Sequence, residues 1–376
     1  MNKIPLFKVF MSENVHTEVK KVLYSGFVGQ GLQVEKFEHT LKNYIGNEYL
    51  CTTNSGTSAL HLALHSLKKP YNLKDGDEVL CTPLTCTATN WPVLANNLKI
   101  KWVDINPNNL NMDLDDLERK ITPKTKVIMV VHWGGYPIDL DRIKKIQQKT
   151  KELYGFEPIV IEDCAHGIGS KYKGKRLGNH GNLCMFSFQA IKHITAVDGG
   201  MLTLPNQDLY DRTKLLRWYG IDRSTHKVDF RCEENISEWG FKFHMNDISA
   251  TIGTENLKYV DEIVGKHQDN AKYYNKHLDN SSGIRILERE EDRESSYWIY
   301  SMLVDKKEDF MKWMKECGIV VSQVHERNDI HSCVKEFKTH LPMLDKVTPE
   351  LISIPVGWWV TKEQREYIVD CIRKGW

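Results

Sequence analysis

The sequence has 376 residues, a formal net charge of +1 at pH 7, 41% hydrophobic residues and 27% charged residues. A charge this close to zero gives no general attraction to nucleic acid or to an anionic membrane, so neither is expected as a partner. No transmembrane-length run and no apolar signal region are present, which predicts a cytoplasmic protein. The nine cysteines form no CxxC pair, so no metal site is predicted and the thiols suit a reducing compartment.

The first elements are two helices separated by a glycine-rich loop. Apolar residues at helical spacing predict helices over residues 8–25 and 32–44, and the segment 26–31 between them reads GFVGQG. Such a loop is either a flexible connection or a surface that faces a substrate. Phe27 and Gln30 are therefore candidate substrate contacts.

A short run of small polar residues then separates a strand from a helix. Residues 50–53 are a predicted strand, and residues 59–67 a predicted helix. Between them, Ser55, Gly56 and Thr57 would present backbone N–H groups and hydroxyls at a helix N-terminus, where phosphate groups bind. The alternative is ordinary N-capping by Ser55 or Thr57.

Alternation of strands and helices continues to about residue 200. Strands are predicted at 78–81, 100–104, 125–131, 158–161 and 201–204, with helices at 83–94, 113–120 and 141–154. This order predicts a mostly parallel sheet with helices on both faces. Ligands of such open sheets bind at the carboxyl ends of the strands.

An acid and a lysine stand at that edge. Asp163 ends the apolar run 158–161, and Lys192 follows 29 residues later, after the run Phe186-Ser187-Phe188. A carboxylate can pair with the ring nitrogen of a pyridine aldehyde cofactor while a lysine forms a Schiff base with its aldehyde. Two unrelated residues, one ending a buried strand and one solvated, are the alternative.

The second half of the chain changes character. A helix at 209–218 and a polar, irregular segment at 223–237 precede one long predicted helix, 247–277. Strands at 296–304, 319–324 and 351–355 then mix with helices at 307–317 and 362–374. We expect a large cofactor-binding α/β domain over residues 1–255 and a small α+β domain over residues 256–376.

Several segments in this order resemble the DegT/DnrJ/EryC1/StrS sugar-nucleotide aminotransferases, which are fold-type I enzymes dependent on pyridoxal 5'-phosphate (PLP). The resemblance spans nearly the whole chain and is specific only in combination. The matching segments are residues 54–60, 76–79, 102–105, 132–135, 162–166, 172–175 and 186–188, with Lys192 and Gly199-Gly200.

The resemblance implies roles for individual residues. Lys192 would bond the cofactor aldehyde, and Asp163 would keep the pyridine nitrogen protonated. The phosphate would be held by Gly56, Thr57 and Ser187, with Ser55 beside them. His166 would lie beside the ring and its phenolic oxygen, although a buried, hydrogen-bonded histidine is the alternative reading.

Two positions depart from the family pattern. Cys86 stands where relatives place an aromatic residue against the cofactor ring, so either this thiol packs on the ring or another side chain does. Lys242 stands where many relatives place an asparagine that reaches the neighbouring subunit's cofactor phosphate. A lysine can make that contact as a point charge, or it can be an ordinary solvated side chain.

The resemblance implies an amino-group transfer in which PLP cycles with pyridoxamine phosphate. The expected donor is glutamate, and the expected acceptor is a nucleotide-linked 4-keto-6-deoxyhexose aminated at C4, handled by a homodimer with shared active sites. His325 and Arg327, on a predicted loop, are candidate substrate contacts or solvated polar residues. The alternatives are a dehydratase of the same family, in which histidine replaces the lysine, and a non-catalytic regulator with the same fold.

Overall fold

A computed structural model of the chain describes residues 3–223, 235–278 and 283–376. The helices are α1 (Val15–Leu23), α2 (Leu32–Ile45), α3 (Gly56–Leu67), α4 (Thr87–Ala95), α5 (Leu114–Lys120), α6 (Leu140–Tyr154), α7 (Gln207–Arg217), α8 (Asp247–Leu257), α9 (Val260–Leu278), α10 (Lys307–Glu316), α11 (Pro342–Val347) and α12 (Lys362–Arg373). The strands are β1 (Leu50–Thr53), β2 (Glu78–Cys81), β3 (Lys99–Trp102), β4 (Thr125–Val131), β5 (Ile159–Asp163), β6 (Lys171–Tyr172), β7 (Lys175–Arg176), β8 (Leu183–Ser187), β9 (Gly200–Thr203), β10 (Ile284–Ile286), β11 (Arg293–Glu294), β12 (Tyr300–Val304) and β13 (Leu351–Ile354).

A seven-stranded sheet in the order β1-β9-β8-β5-β4-β2-β3 forms the centre of the molecule. Only β9 runs against its neighbours, and β2, β3, β4, β5 and β8 pair in parallel. The predicted α/β class with a mixed, mostly parallel sheet is therefore confirmed. Because β1 and β8 are both antiparallel to β9, their carboxyl ends lie on the same edge as those of the other parallel strands.

Helices cover both faces of this sheet because its strands are apolar on both sides. In β2, Val79 and Cys81 pack into one core with α3, whereas Leu80 packs into the other core with α2, α6 and α8. A strand that alternates between two buried faces reads as a continuous apolar run, as these strands do. The sheet is thereby held rigidly, and its loops at the carboxyl edge are free for chemistry.

A smaller antiparallel sheet, β10-β12-β13, forms a third core with α9, α10 and α12. The N-terminal segment reaches this region: Ile4 pairs with Ile319 as an isolated parallel bridge, and Trp359 donates a hydrogen bond from Nε1 to the Pro5 carbonyl at 2.9 Å. A second small sheet, β11-β6-β7, joins the two halves of the sequence. The division at residue 255 stays a prediction.

Several predicted elements are wrong in extent. The first helix begins at Val15 and not at residue 8, and the single helix expected over 247–277 is two helices, α8 and α9. The break follows Asn256, whose buried side chain accepts a hydrogen bond from the Ser12 N–H and donates one to the Thr195 carbonyl. Residues 319–324 make isolated bridges and no regular strand.

Part of the polar segment predicted at 223–237 lies outside the described residues, at 224–234. Across the described ranges, none of the helices combines the length and the hydropathy that a membrane span requires.

Candidate active site

The carboxyl edge of the large sheet gathers most of the predicted site residues. Asp163 is the last residue of β5 and Ser187 the last residue of β8. Ser55 follows β1, and Cys86 follows β2 as the residue that precedes α4. Parallel strands therefore bring together residues that are more than one hundred positions apart in the sequence, as the strand alternation predicts.

Asp163 is buried and held by two hydrogen bonds. Its carboxylate accepts from the Thr89 hydroxyl at 2.7 Å and from the Ala165 N–H at 2.9 Å. Burial raises the pKa of Asp163, while these hydrogen bonds and the Lys192 ammonium oppose the rise. A cationic ring nitrogen beside this carboxylate would favour the charged form of both groups.

Lys192 lies in the loop between β8 and β9, in a turn closed by its N–H and the Gln189 carbonyl at 3.0 Å. Burial lowers its pKa to about 8, against the opposing effects of Asp163 and Cys86. The Nζ atom lies 3.7 Å from the centroid of the buried Trp298 ring. A lysine with this pKa is partly unprotonated near neutral pH, which a nucleophile or a proton carrier requires.

His166 is buried against the same tryptophan. The two rings stack with centroids 3.9 Å apart and an interplanar angle of 18°, and His325 lies parallel to His166 at 5.8 Å. Burial and then Lys192 lower the pKa of His166 well below its usual value, so the ring is neutral. Among the described atoms, its Nδ1 is buried without a hydrogen-bond partner. A ligand oxygen would complete this contact.

The predicted phosphate loop begins α3. The Ser55 hydroxyl accepts a hydrogen bond from the Ser58 N–H at 3.0 Å, so it caps the helix, while Thr57 is exposed. A Cβ on Gly56 would lie 3.2 Å from the Ser187 Cβ, and a Cβ on Gly200 would lie 2.7 Å from the Gly56 nitrogen. Glycine is required at position 200, where two backbone segments approach so closely, while the contact at Gly56 is with side-chain atoms. Both readings of Ser55 and its neighbours remain compatible, because a capped helix N-terminus also binds phosphate.

The two positions that depart from the family pattern are both near this edge. Cys86 is half-buried and close enough to act on the Lys192 charge. Lys242 has an exposed side chain, and its backbone carbonyl accepts a hydrogen bond from Asn54 Nδ2 at 3.3 Å, beside the phosphate loop.

The candidate substrate contacts were Phe27, Gln30, His325 and Arg327. Of these, the structure brings only His325 to Lys192, His166 and Trp298, which we call the Lys192 cluster. Arg327 is turned away into ion pairs with Asp329 and Asp345. Phe27, which is 81% exposed, and Gln30 line a cavity of about 820 Å³ whose other wall includes Trp218. That cavity shares no lining residue with the Lys192 cluster.

A second buried cluster lies beneath the edge. His132 Nε2 donates to the Glu162 carboxylate at 2.8 Å, Asn182 donates to the other Glu162 oxygen at 2.7 Å, and His132 Nδ1 accepts from the Ile138 N–H. Burial alone would raise the pKa of Glu162, but these hydrogen bonds lower it. Cys164 completes a grouping with metal-ligand spacing. Because both His132 nitrogens are already bonded to protein groups, the cluster is structural.

The residues present fit PLP. Lys192, Asp163 and the unpartnered His166 Nδ1 would hold its ring, and the close approach at Gly56 and Ser187 leaves backbone N–H groups at a helix N-terminus for its phosphate. Thr89 and Trp298 were not among the residues predicted for the site. Thr89 follows Cys86 by one helical turn, which is a usable signal, whereas Trp298 arrives from 106 positions beyond Lys192, without a local pattern.

Comparison with known proteins agrees with this geometry. Residues 10–373 match the model of the DegT/DnrJ/EryC1/StrS aminotransferase family. The structure of AtS13 from Actinomadura melliaura is 48% identical, with a TM-score of 0.96 over 100% of both chains. The sugar aminotransferase CalS13 from Micromonospora echinospora is 45% identical, with a TM-score of 0.95 over 99% of this chain and 100% of that one.

A third relative is named for its substrate class. The UDP-4-amino-4,6-dideoxy-N-acetyl-beta-L-altrosamine transaminase of Campylobacter jejuni (strain 81-176) is 30% identical over 81% of this chain and 78% of its own. The family match covers nearly all of the chain. The protein therefore belongs to the DegT/DnrJ/EryC1/StrS aminotransferase family, and it is a PLP-dependent sugar-nucleotide aminotransferase.

Proposed function

We propose that this enzyme transfers an amino group from glutamate to C4 of a nucleotide-linked 4-keto-6-deoxyhexose. The observation that carries the chemistry is the proximity of Lys192 and Asp163 at the carboxyl edge of the sheet, where burial lowers the lysine pKa to about 8 and Asp163 opposes that fall. The choice of C4 rests on the relative named for a 4-amino-4,6-dideoxy sugar nucleotide.

PLP, when bound, supplies an electron sink for the bond that is broken at the amino-acid Cα. The protein supplies the groups around it. Lys192 would first bond the cofactor covalently and then, once freed, carry a proton between two carbons through its Nζ atom. At pH 7, a pKa of about 8 leaves roughly one lysine in ten unprotonated, which is enough for a base that is regenerated in each turnover.

Asp163 and His166 would act without changing their own protonation. The Asp163 carboxylate, oriented by Thr89 and the Ala165 N–H, would keep the ring nitrogen charged. His166 would remain neutral and offer its free Nδ1 to the phenolic oxygen. His325, whose ring lies 5.8 Å from that of His166, would contact the reacting sugar or the donor, and burial lowers its pKa to about 4, so it too is neutral.

The first experiment follows the cofactor alone. Purified protein incubated with PLP should show a yellow absorbance band that bleaches on addition of glutamate and returns with 2-oxoglutarate. The Lys192→Ala variant should keep its far-UV circular dichroism and lose turnover. Retained transamination in that variant would overturn the assignment of Lys192.

The second experiment follows the nitrogen. With ¹⁵N-glutamate and thymidine-, uridine- and guanosine-diphosphate-linked 4-keto-6-deoxyhexoses as probes, NMR of the product should place ¹⁵N at C4. Loss of water without ¹⁵N incorporation would favour the dehydratase alternative, and ¹⁵N at C3 would overturn the choice of C4. Protein that binds PLP but gives neither product with any probe would favour the non-catalytic alternative.

We further propose that two copies of the chain share their active sites. Five large apolar side chains around the loop between α1 and α2 are exposed: Leu23, Tyr24, Phe27, Val28 and Leu32. Exposed apolar side chains near one loop suit contact with a second copy. In that arrangement the exposed Lys242 would reach the partner's cofactor phosphate, and the cavity beside Phe27 and Gln30 would face the partner's substrate.

A mixing experiment tests the shared site. If Lys242 serves the other subunit, then co-expressed Lys192→Ala and Lys242→Ala chains form heterodimers with one intact site, and activity recovers to about one quarter of wild type. Each variant alone should be far less active. No recovery on mixing, with dimers confirmed by sedimentation, would show that Lys242 does not act across the interface.

A further inference from the structure

We propose that Trp298 is a positioning residue for Lys192, whose ammonium group rests on the indole face whenever the lysine is not covalently engaged. The inference rests on the proposed role of Lys192 and deepens it. It concerns the position of the Lys192 side chain after its bond to the cofactor is broken and before it carries a proton. At that stage the side chain is free to move away from the reacting carbons.

The contact itself is close, and its aromatic partner is buried. Lys192 Nζ lies 3.7 Å from the ring centroid, and Trp298 is only 2% exposed. The face of an indole carries negative electrostatic potential, and it attracts a cation more strongly where water is excluded. Tryptophan is also the aromatic side chain that binds cations best.

The indole ring is held in position by contacts other than the one with the Lys192 ammonium group. Its Nε1–H donates to the Ile191 carbonyl at 2.9 Å, which joins it to the residue immediately before Lys192. The Trp298 N–H donates to the Gly134 carbonyl at 2.9 Å, and the ring stacks on His166 and on Phe7. The ring and the lysine loop therefore form one hydrogen-bonded unit, so little freedom is lost when the ammonium group settles on the ring.

The other groups that face Lys192 act on its charge in opposite directions, and the indole adds a further effect. Asp163 and Cys86 favour the charged lysine, while His166, His193 and His325 are buried imidazoles whose pKa values fall partly because Lys192 is near. Burial opposes the charge. An indole face favours the ammonium form without introducing a second ion, so the lysine can hold a proton in place and still release it.

The test uses cofactor-free protein labelled with [ε-¹³C]lysine, so it is independent of any substrate. The Lys192 resonance, assigned by its loss in Lys192→Ala, should be shifted upfield by the ring current of the indole. In Trp298→Leu, which keeps the site apolar, we expect that upfield shift to vanish and the pKa of Lys192 to fall by about one unit. Trp298→Phe should give a smaller fall.

Trp133→Phe is the matched control. Trp133 is also buried, at 1% exposed, its Nε1–H is also hydrogen-bonded, to Ser301 Oγ at 3.1 Å, and it also contacts His166. Since the contact recorded for Lys192 is with Trp298, this variant should leave the Lys192 pKa and chemical shift unchanged.

Two results would overturn the proposal. One is a wild-type Lys192 resonance without an upfield shift, which needs no variant and holds even if Trp298→Leu does not fold. The other is a Lys192 pKa that is unchanged or raised in the folded Trp298→Leu or Trp298→Phe protein. Neither result bears on whether Lys192 bonds PLP, which the absorbance experiment decides separately.

Discussion

Thr89 donates a hydrogen bond from its hydroxyl to Asp163 Oδ2 at 2.7 Å, across the gap between the start of α4 and the end of β5. Thr85 lies 2.8 Å from the same hydroxyl and must donate to it, because the Thr89 proton is already directed at the carboxylate. A short relay thus orients the carboxylate on which the cofactor's ring nitrogen would depend.

Replacement of Thr89 by valine should weaken PLP binding by about 10- to 100-fold, because a hydrogen bond to a charged group contributes about 1.5–3 kcal/mol. A PLP titration followed by visible absorbance measures this change. Thr150→Val, which removes a buried hydroxyl bonded to the Ile146 carbonyl in α6, is the control and should leave PLP affinity unchanged. Equal affinity in the two variants would mean that Thr89 does not support Asp163.

The approach of β9 to the phosphate loop gives a second prediction. In Gly200→Ala the new Cβ would meet the backbone of Ser55 and Gly56 at 2.6–2.7 Å, where nothing flexible can yield. We expect the loop to be displaced, PLP affinity to fall and the free energy of unfolding to drop by about 1–3 kcal/mol.

Gly265→Ala provides the comparison. Gly265 lies inside α9, and a Cβ there has no atom within 4 Å. Alanine should stabilise that helix by roughly 0.5–1 kcal/mol without affecting PLP. A Gly200→Ala protein with unchanged PLP affinity would show that the loop tolerates the displacement.

Buried histidines predict the response to acid. Burial lowers the pKa of His267 and of His325 to about 4, and the pKa values of His166 and His193 fall well below their usual range. Since the unfolded chain binds protons near pH 6.5 and the folded chain does not, their contribution is complete above about pH 6.5 and is lost as pH falls towards 4.

Urea denaturation of the cofactor-free protein at several pH values between 7 and 4.5 measures this loss. Carboxylates contribute in the same direction, so the informative quantity is the difference from His267→Gln, in which an amide can still donate to the Tyr297 carbonyl. In that variant the free energy of unfolding should fall less steeply with pH below pH 6.5. The difference in slope should correspond to about one fewer proton bound on unfolding. Identical slopes would mean that His267 is already charged in the folded protein.

The pair of His132 and Glu162 gives a prediction about stability alone. Both side chains are fully buried. His132→Leu removes the hydrogen bond to one oxygen of a buried carboxylate and leaves that from Asn182, and should lower the free energy of unfolding by about 3–5 kcal/mol. The double variant with Glu162→Leu should recover much of that loss, because no buried charge then remains unpaired.

An exposed ion pair gives the matched control for that experiment. Lys144 and Glu157 pair at 2.5 Å with side chains 57% and 30% exposed, and Lys144→Ala should change stability by about 1 kcal/mol or less. If His132→Leu costs no more than this, then Glu162 is neutral in the folded protein and the pair contributes little.

The sequence allowed the class of fold and the edge of the sheet to be predicted, because both follow from local pattern. Apolar runs marked the parallel strands, and a residue at the end of a strand, such as Asp163, needs only that pattern to be placed. The small polar residues before α3 were likewise sufficient to predict the start of a helix there. The break between α8 and α9 was not predicted: no glycine or proline marks it, and it lies beside Asn256, whose buried side chain bonds to Ser12 and Thr195.

One neighbour of Lys192 was beyond such reasoning for the same reason: Trp298 reaches the site through tertiary contacts that no periodicity records. His325 was a candidate substrate contact on a predicted loop, but its position beside His166 and Trp298 also depends on tertiary contacts. Arg327 shows the opposite case: a cation near a site looked available, yet it is neutralised by Asp329 and Asp345 within its own chain. Whether a polar side chain is free for a ligand depends on partners that only the folded chain identifies.

The pairing of residues 4 and 5 with residues 319 and 359 has a consequence for synthesis on the ribosome. Pro5 accepts its hydrogen bond from Trp359, and Ile4 pairs with Ile319, so residues 4 and 5 cannot reach these partners until the much later residues have been made. At a translation rate of about 5–20 residues per second, the N-terminal segment spends tens of seconds unpaired. Its apolar side chains, such as Ile4 and Leu6, are then available to chaperones until residues 319 and 359 emerge.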